Sequence, residues 1–145
     1  MIRPYEEKDL PACAAVYCSA FSAPPWNERW TAELAQTRVR ELMCTPVSYG
    51  YVCEENGQIL GFAAGRLMTY LCGREYVIDE FCVSYEAQGR GIGSALMQHI
   101  TAEMKSRCCA GIVLNTTKGY PSEDFYRKNG FQQCADMITM YLHLD

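Results

Sequence analysis

The chain has 145 residues, 49% of them hydrophobic and 21% charged, with a net charge of −4 at pH 7. That length makes one domain able to bury roughly 70% of its unfolded surface, and the acidic balance argues against a nucleic-acid partner and for a neutral or cationic substrate. The longest run without a polar side chain, residues 59–65, is too short for a membrane span, and Met1-Ile2-Arg3-Pro4-Tyr5 holds no signal-peptide core, so a cytoplasmic protein without a membrane partner is expected.

In chain order, residues 1–4 read as a first strand, and Asp9 as the N-cap of a helix in which Leu10, Cys13, Ala14, Tyr17 and Phe21 recur at helical spacing. A loop follows with two prolines and two tryptophans, Pro24-Pro25-Trp26-Asn27-Glu28-Arg29-Trp30. Thr31 caps a second helix whose buried face holds Leu34, Ala35, Val39, Leu42 and Met43, and Pro46 closes it. Strands at 48–54 and 58–68 flank Glu55-Asn56-Gly57, where Asn-Gly signals a hairpin. Gly73 begins a connection to a strand over 75–83. A helix over 91–107, a strand over 111–116 and a short helix follow, the last opened by Pro121 and stopped at Asn129-Gly130. Residues 131–134 and 137–144 read as two final strands. The order β-α-α-β-β-β-α-β-α-β-β predicts one α/β domain over 1–145, an α+β mixed sheet covered by helices.

Nine cysteines show no C-x-x-C spacing and read as small buried hydrophobes in a reducing compartment. Neither histidine has a partner at ligand spacing, so no metal is expected.

The most informative stretch runs from Asp79-Glu80-Phe81-Cys82-Val83 through Gln88-Gly89-Arg90-Gly91-Ile92-Gly93-Ser94. Glycines let the backbone turn tightly and let a ligand approach it. The helix that follows offers unpaired N–H groups and the positive end of its dipole, a seat for phosphate, and Arg90 adds a charge. A dinucleotide fingerprint needs its third glycine one residue later, and no Gly-Lys-Ser/Thr follows to make a P-loop. In the strand before the loop, Ile78 and Phe81 are three apart while Phe81 and Val83 are two apart. One face can hold all three only if a β-bulge inserts a residue.

Gln88, Gly91 and Gly93 stand in the Q/R-x-x-G-x-G/A pattern, and the chain resembles the GCN5-related N-acetyltransferase superfamily, loosely its aminoglycoside 6′-N-acetyltransferase-like members. The preceding strand with Val83 and the later Phe125-Tyr126-Arg127-Lys128-Asn129-Gly130-Phe131 carry the resemblance too. It implies the acetyltransferase fold and an acetyl-CoA-dependent transferase. The pyrophosphate would lie on Gln88 to Ser94, and the pantetheine arm in a gap beside Phe81, Cys82 and Val83, beyond which lies Asn115. Ser122 stands where the family often has alanine, and the asparagine often found before that helix is replaced by Lys118-Gly119-Tyr120-Pro121.

The reaction needs a base, an oxyanion donor and an acid. Glu80 is the first choice for the base and Asp79 the second; the oxyanion falls to the Val83 N–H, and Tyr126 matches the family's acid. A phenol near pKa ~10 protonating a thiolate near ~8.5 is uphill by roughly 2 kcal/mol, so it works best if its pKa is lowered or if it mainly stabilises the thiolate by hydrogen bonding. Trp26, Glu28 and Trp30, on the loop that walls the acceptor site in the family, suit a small cationic amine or amino sugar, although two aromatics four apart also anchor loops onto cores. The alternatives are a protein or peptide acceptor and a non-catalytic acyl-CoA-binding module. A homodimer is left open.

Overall fold

The computed structural model describes residues 1–145. They form two compact units, Met1–Asn115 and Thr116–Asp145, described in turn.

The first unit is built on a five-stranded sheet of order β1-β2-β3-β4-β5, made of β1 (Ile2–Pro4), β2 (Ser48–Glu55), β3 (Gln58–Tyr70), β4 (Gly73–Val83) and β5 (Gly111–Leu114). All neighbours are antiparallel except β4 and β5. Three helices complete it: α1 (Leu10–Ser22), α2 (Ala32–Met43) and α3 (Ile92–Ser106).

The period-two alternation of the strands sorts the core into two layers. Val52, Phe62, Ala64 and Cys82 pack with Cys13, Tyr17, Ala35 and Val39 of α1 and α2. The intervening residues Tyr51, Ala63 and Tyr76 face the other way and are equally buried, as are Leu96, Met97 and Ile100 on α3. Tyr51 meets His99 of α3 with ring centroids 5.6 Å apart.

Local signals explain most boundaries. The Thr31 hydroxyl accepts from the Leu34 N–H at 3.1 Å and caps α2 as expected. Asn56 and Gly57 both take positive φ and turn the β2–β3 hairpin. Three expectations are corrected. Asp9 holds the N-cap position of α1 but makes no side-chain cap there: it sits in helical geometry after a single 3₁₀ turn, and its carboxylate is taken by Arg3 at 2.7 and 2.9 Å and by the Glu6 N–H at 2.8 Å. Leu34 is exposed, because the buried stripe of α2 passes through Ala35 and Val39. Gly73 lies inside β4, paired with Tyr70, so a tight hairpin at Leu71-Cys72 replaces the expected connection.

The second unit holds α4 (Pro121–Lys128). Its end is a Schellman stop: Gly130 (φ 92°) donates to Arg127 O and Phe131 to Tyr126 O, both at 3.0 Å. The two strands expected over 131–134 and 137–144 are not formed, since no strand of this chain pairs with them. The nine cysteines are free; Cys13, Cys53 and Cys82 are buried, but Cys44, Cys72, Cys108 and Cys134 are exposed, against the expectation of buried thiols. No helix is long and apolar enough to cross a membrane.

Candidate active site

The bulge read from the sequence is present. Ala64 pairs with Glu80 and Gly65 with Ile78, leaving Asp79 as the extra residue. Ile78, Phe81 and Val83 therefore stand opposite Gly65, Ala63 and Gly61, three positions on one face of β3. The same irregularity marks where β4 parts from β5. The parallel ladder covers only Glu75–Ile78, and from Asp79 onward β4 has a strand neighbour on the β3 side alone. The Ser84 N–H donates to Leu60 O at 2.8 Å. By the alternation of an antiparallel ladder, the Val83 N–H then points away from β3, to the side where β5 has left.

Glu80 is held on the α1–α2 side of the sheet. Its Oε1 accepts from the Tyr17 hydroxyl at 3.1 Å and from the Arg38 guanidinium at 3.0 Å. Burial pushes its pKa above the ordinary carboxylate range, an effect larger than the lowering by Arg38 and then Tyr17, and Glu28 adds to the rise. Burial also pushes the Tyr17 phenol far up. The aromatic loop reaches the same place: Trp30 meets Tyr17 edge-on with centroids 4.7 Å apart, and its indole N–H points to Glu28 at 3.4 Å. Trp26 packs edge-on against Phe21 at 5.4 Å. Trp30 also packs on the core, so this tryptophan anchors the loop.

Asp79, the second choice for the base, is committed elsewhere. Both its oxygens are held by Arg66 of β3, at 2.8 and 2.9 Å. Cys82 is buried in the α1–α2 layer, where burial holds its thiol protonated.

The glycine loop takes the form its spacing implies. Gly89 and Gly91 have φ of 76° and 80°, and a Cβ on either would meet no atom within 4 Å. Gly91 is the N-cap of α3, so Ile92, Gly93 and Ser94 form its first turn, whose N–H groups lack intrahelical acceptors. The Gln88 side chain donates to Val83 O at 3.1 Å and ties the loop to the end of β4. Arg90, expected to face phosphate, pairs with Glu55 at 2.7 Å; both side chains are half-exposed, and such a pair is weak enough to exchange for a phosphate.

Asn115 is exposed just past β5. In the second unit, the Ser122 hydroxyl shares a hydrogen bond of 2.8 Å with Thr116, and the Tyr126 ring lies between Phe125 and Phe131 at centroid distances of 5.3 and 5.6 Å.

Tyr17 and Arg38 escaped the reading of the sequence. Tyr17 is indistinguishable from a core residue in the α1 pattern. Arg38 left a signal: it lies three residues after Ala35 and beside Val39, which puts a cation at the margin of a buried stripe.

A search of curated proteins returns no match. Among solved structures, a possible acetyltransferase from Clostridium difficile 630 superposes with a TM-score of 0.83 at 15% identity, over 100% of this chain and 98% of the other. A ribosomal-protein-alanine N-acetyltransferase from Brucella melitensis biovar Abortus 2308 gives a TM-score of 0.73 at 17% identity, over 100% and 99%. An aminoglycoside acetyltransferase from an uncultured soil metagenomic sample, in complex with sisomicin, gives 0.77 at 16% identity, over 100% and 96%. At such identities the likeness is one of fold. A family model described as Acetyltransferase (GNAT) family matches residues 11–131. That span runs from the start of α1 through the bulge and the glycine loop to the stop of α4, and the chain belongs to the GNAT acetyltransferase family.

Proposed function

We propose that the protein transfers the acetyl group of acetyl-CoA to the primary amine of a small cationic acceptor, a polyamine-like molecule or an amino sugar, by direct attack in a ternary complex. The observation that carries this reading is Glu80: a carboxylate of raised pKa, at the bulge where β4 leaves β5, beside the aromatic loop. The open space around Gly89 and Gly91 fits a pyrophosphate laid against the first turn of α3.

Acetyl-CoA supplies an activated acyl group as a thioester. Glu80, directly or through a water, takes the proton of the acceptor ammonium and frees its lone pair. The Val83 N–H donates to the carbonyl oxygen as charge builds there and the new C–N bond forms. The resemblance assigns protonation of the leaving sulfur to Tyr126; as the C–S bond breaks, the positive nitrogen gives its second proton to solvent, from which the acid is reprotonated. Cys82, held protonated, is unsuited to a covalent relay, which favours direct transfer. Trp26, Glu28 and Trp30 receive the acceptor through ring faces and one carboxylate. The resemblance assigns the pantetheine contacts to Asn115 and Ser122. Arg90 turns from Glu55 to phosphate.

The test is free-thiol release from acetyl-CoA across aminoglycosides, polyamines, amino acids and N-terminal peptides. Turnover with the cationic small amines is expected. Transfer to peptides alone would replace the acceptor, and acetyl-CoA binding without turnover on any amine would make the chain a binding module.

A further inference from the structure

In a regular strand the carboxylates of Asp79 and Glu80 would project to opposite faces of the sheet. The bulge brings them to the same face. Glu80 meets Tyr17 of α1 and Arg38 of α2. Asp79 meets Arg66, which stands two places along β3 from Ala64 of the α1–α2 layer and so projects to that same side. Two neighbouring carboxylates therefore share one environment, with side-chain exposures of 18% for Asp79 and 15% for Glu80. Water screens such a pair poorly, and two like charges so placed raise each other's proton affinity.

The two are held in different ways. Arg66 spans both oxygens of Asp79, its Nε and Nη2 donating at 2.8 and 2.9 Å as a fork. Its own cross-strand neighbour is Val77, so the fork reaches diagonally along the face to the inserted residue. On Glu80 both donors fall on Oε1, and no protein donor reaches Oε2. The other titratable groups against Glu80 are Glu28, from the loop before α2, and the Cys82 thiol, two places further along β4. Neither offsets a charge on Asp79, and Arg38 is spent on Glu80 itself. Arg66 alone does so.

We propose that Arg66 is a positioning residue that acts on Glu80 through Asp79: its guanidinium neutralises Asp79 and holds it against β3, which leaves Glu80 the one carboxylate at the bulge with an oxygen free to take a proton. Without Arg66, an unpaired Asp79 would repel the ionised form of Glu80 and compete with it for Arg38. Both effects raise the proton affinity of Glu80. The consequence for catalysis rests on Glu80 as the base of the reaction proposed above; the electrostatic arrangement does not.

Titration of the Glu80 side chain reads this without turnover. It is followed by NMR with carbon-13 in the glutamate carboxyls, the Glu80 signal being the one missing in Glu80→Gln. In Arg66→Gln the Glu80 midpoint is expected to rise by about one pH unit. Arg66→Lys keeps the charge and should stay near the parent. Asp79→Asn frees a cation beside Glu80 and should lower the midpoint, and the double variant Arg66→Gln with Asp79→Asn should return it to the parent value. A pair that only stiffens the hairpin would leave the midpoint in place in Arg66→Gln and Asp79→Asn alike, and that result overturns the proposal. A rise in the double variant as large as in Arg66→Gln overturns it too. Should Arg66→Gln fail to fold, the nearly isosteric Asp79→Asn decides alone: a fall supports the proposal and an unmoved midpoint sinks it. Activity against pH separates this inference from the function it rests on. Midpoints that shift as stated, with the acidic limb of kcat/KM unmoved, would keep Arg66 in its role and remove Glu80 as the base.

Discussion

Glu80 has a measurable signature. In the proposed role a base acts ionised, and because burial raises the pKa of Glu80, activity should fall as pH drops through a value above the ordinary carboxylate range. Glu80→Gln should lower kcat by about 10²–10⁴-fold and abolish that acidic limb. Arg38 lowers the Glu80 pKa, so Arg38→Gln should move the limb to higher pH, and Tyr17→Phe should move it the same way by less. A limb that stays in place in all three variants would exclude Glu80 as the base. A second carboxylate tests the fold instead. Arg3, hydrogen-bonded to it, holds the buried Asp9 below its usual range. A depressed pKa contributes stability that is present above the unfolded value and lost as pH falls through the lower folded value. Asp9→Asn should therefore cost about 3 kcal/mol near neutrality, read by urea unfolding, and remove part of the acid sensitivity.

At the scale of elements, the glycine loop and the bulge each carry a prediction. A residue with a Cβ at Gly91 would be strained by its φ of 80° even though space is open, so loss of binding there would mix two causes. Gly93 has no positive φ and lies in the first turn of α3, which makes Gly93→Val the cleaner probe. It should keep the circular dichroism of the parent and lose acetyl-CoA affinity by calorimetry; unchanged affinity would remove the loop from the site. At the bulge, Gly65 pairs with Ile78, and a Cβ there would lie 2.5 Å from the ring of the buried Tyr76. The Tyr76 hydroxyl is fixed on Tyr49 O at 2.6 Å, so the ring cannot yield. Gly65→Ala should cost about 1–3 kcal/mol in denaturant unfolding.

For the whole molecule, ligand binding and folding are linked. A cofactor that binds only the folded state stabilises it by about 2.7 kcal/mol at one hundred times its Kd. Acetyl-CoA should therefore raise the melting temperature in a concentration-dependent way, and Gly93→Val should lose that rise. Acetate alone should leave it unchanged, since the contact proposed for the loop is with phosphate rather than with the acyl group. A cofactor effect equal in wild type and Gly93→Val would place the binding surface elsewhere.

The chain by itself determined what depends on near neighbours. The positive φ at Gly91, the Asn-Gly turn, the Thr31 cap and the stop at Asn129-Gly130 each follow from one or two residues. The bulge was legible because an inserted residue breaks a period of two, and Ile78, Phe81 and Val83 record the break. Only the tertiary structure could separate the adjacent carboxylates. Asp79 goes to Arg66, thirteen residues back, and Glu80 to Tyr17 and Arg38, sixty-three and forty-two residues away. Ion pairing and burial over such distances leave no periodic trace in a sequence, and the same holds for Arg90 with Glu55. The final strands show the limit from the other side. The alternation at 137–144 is plain in the sequence, but a strand exists only when a neighbour supplies its hydrogen bonds, and these residues form none.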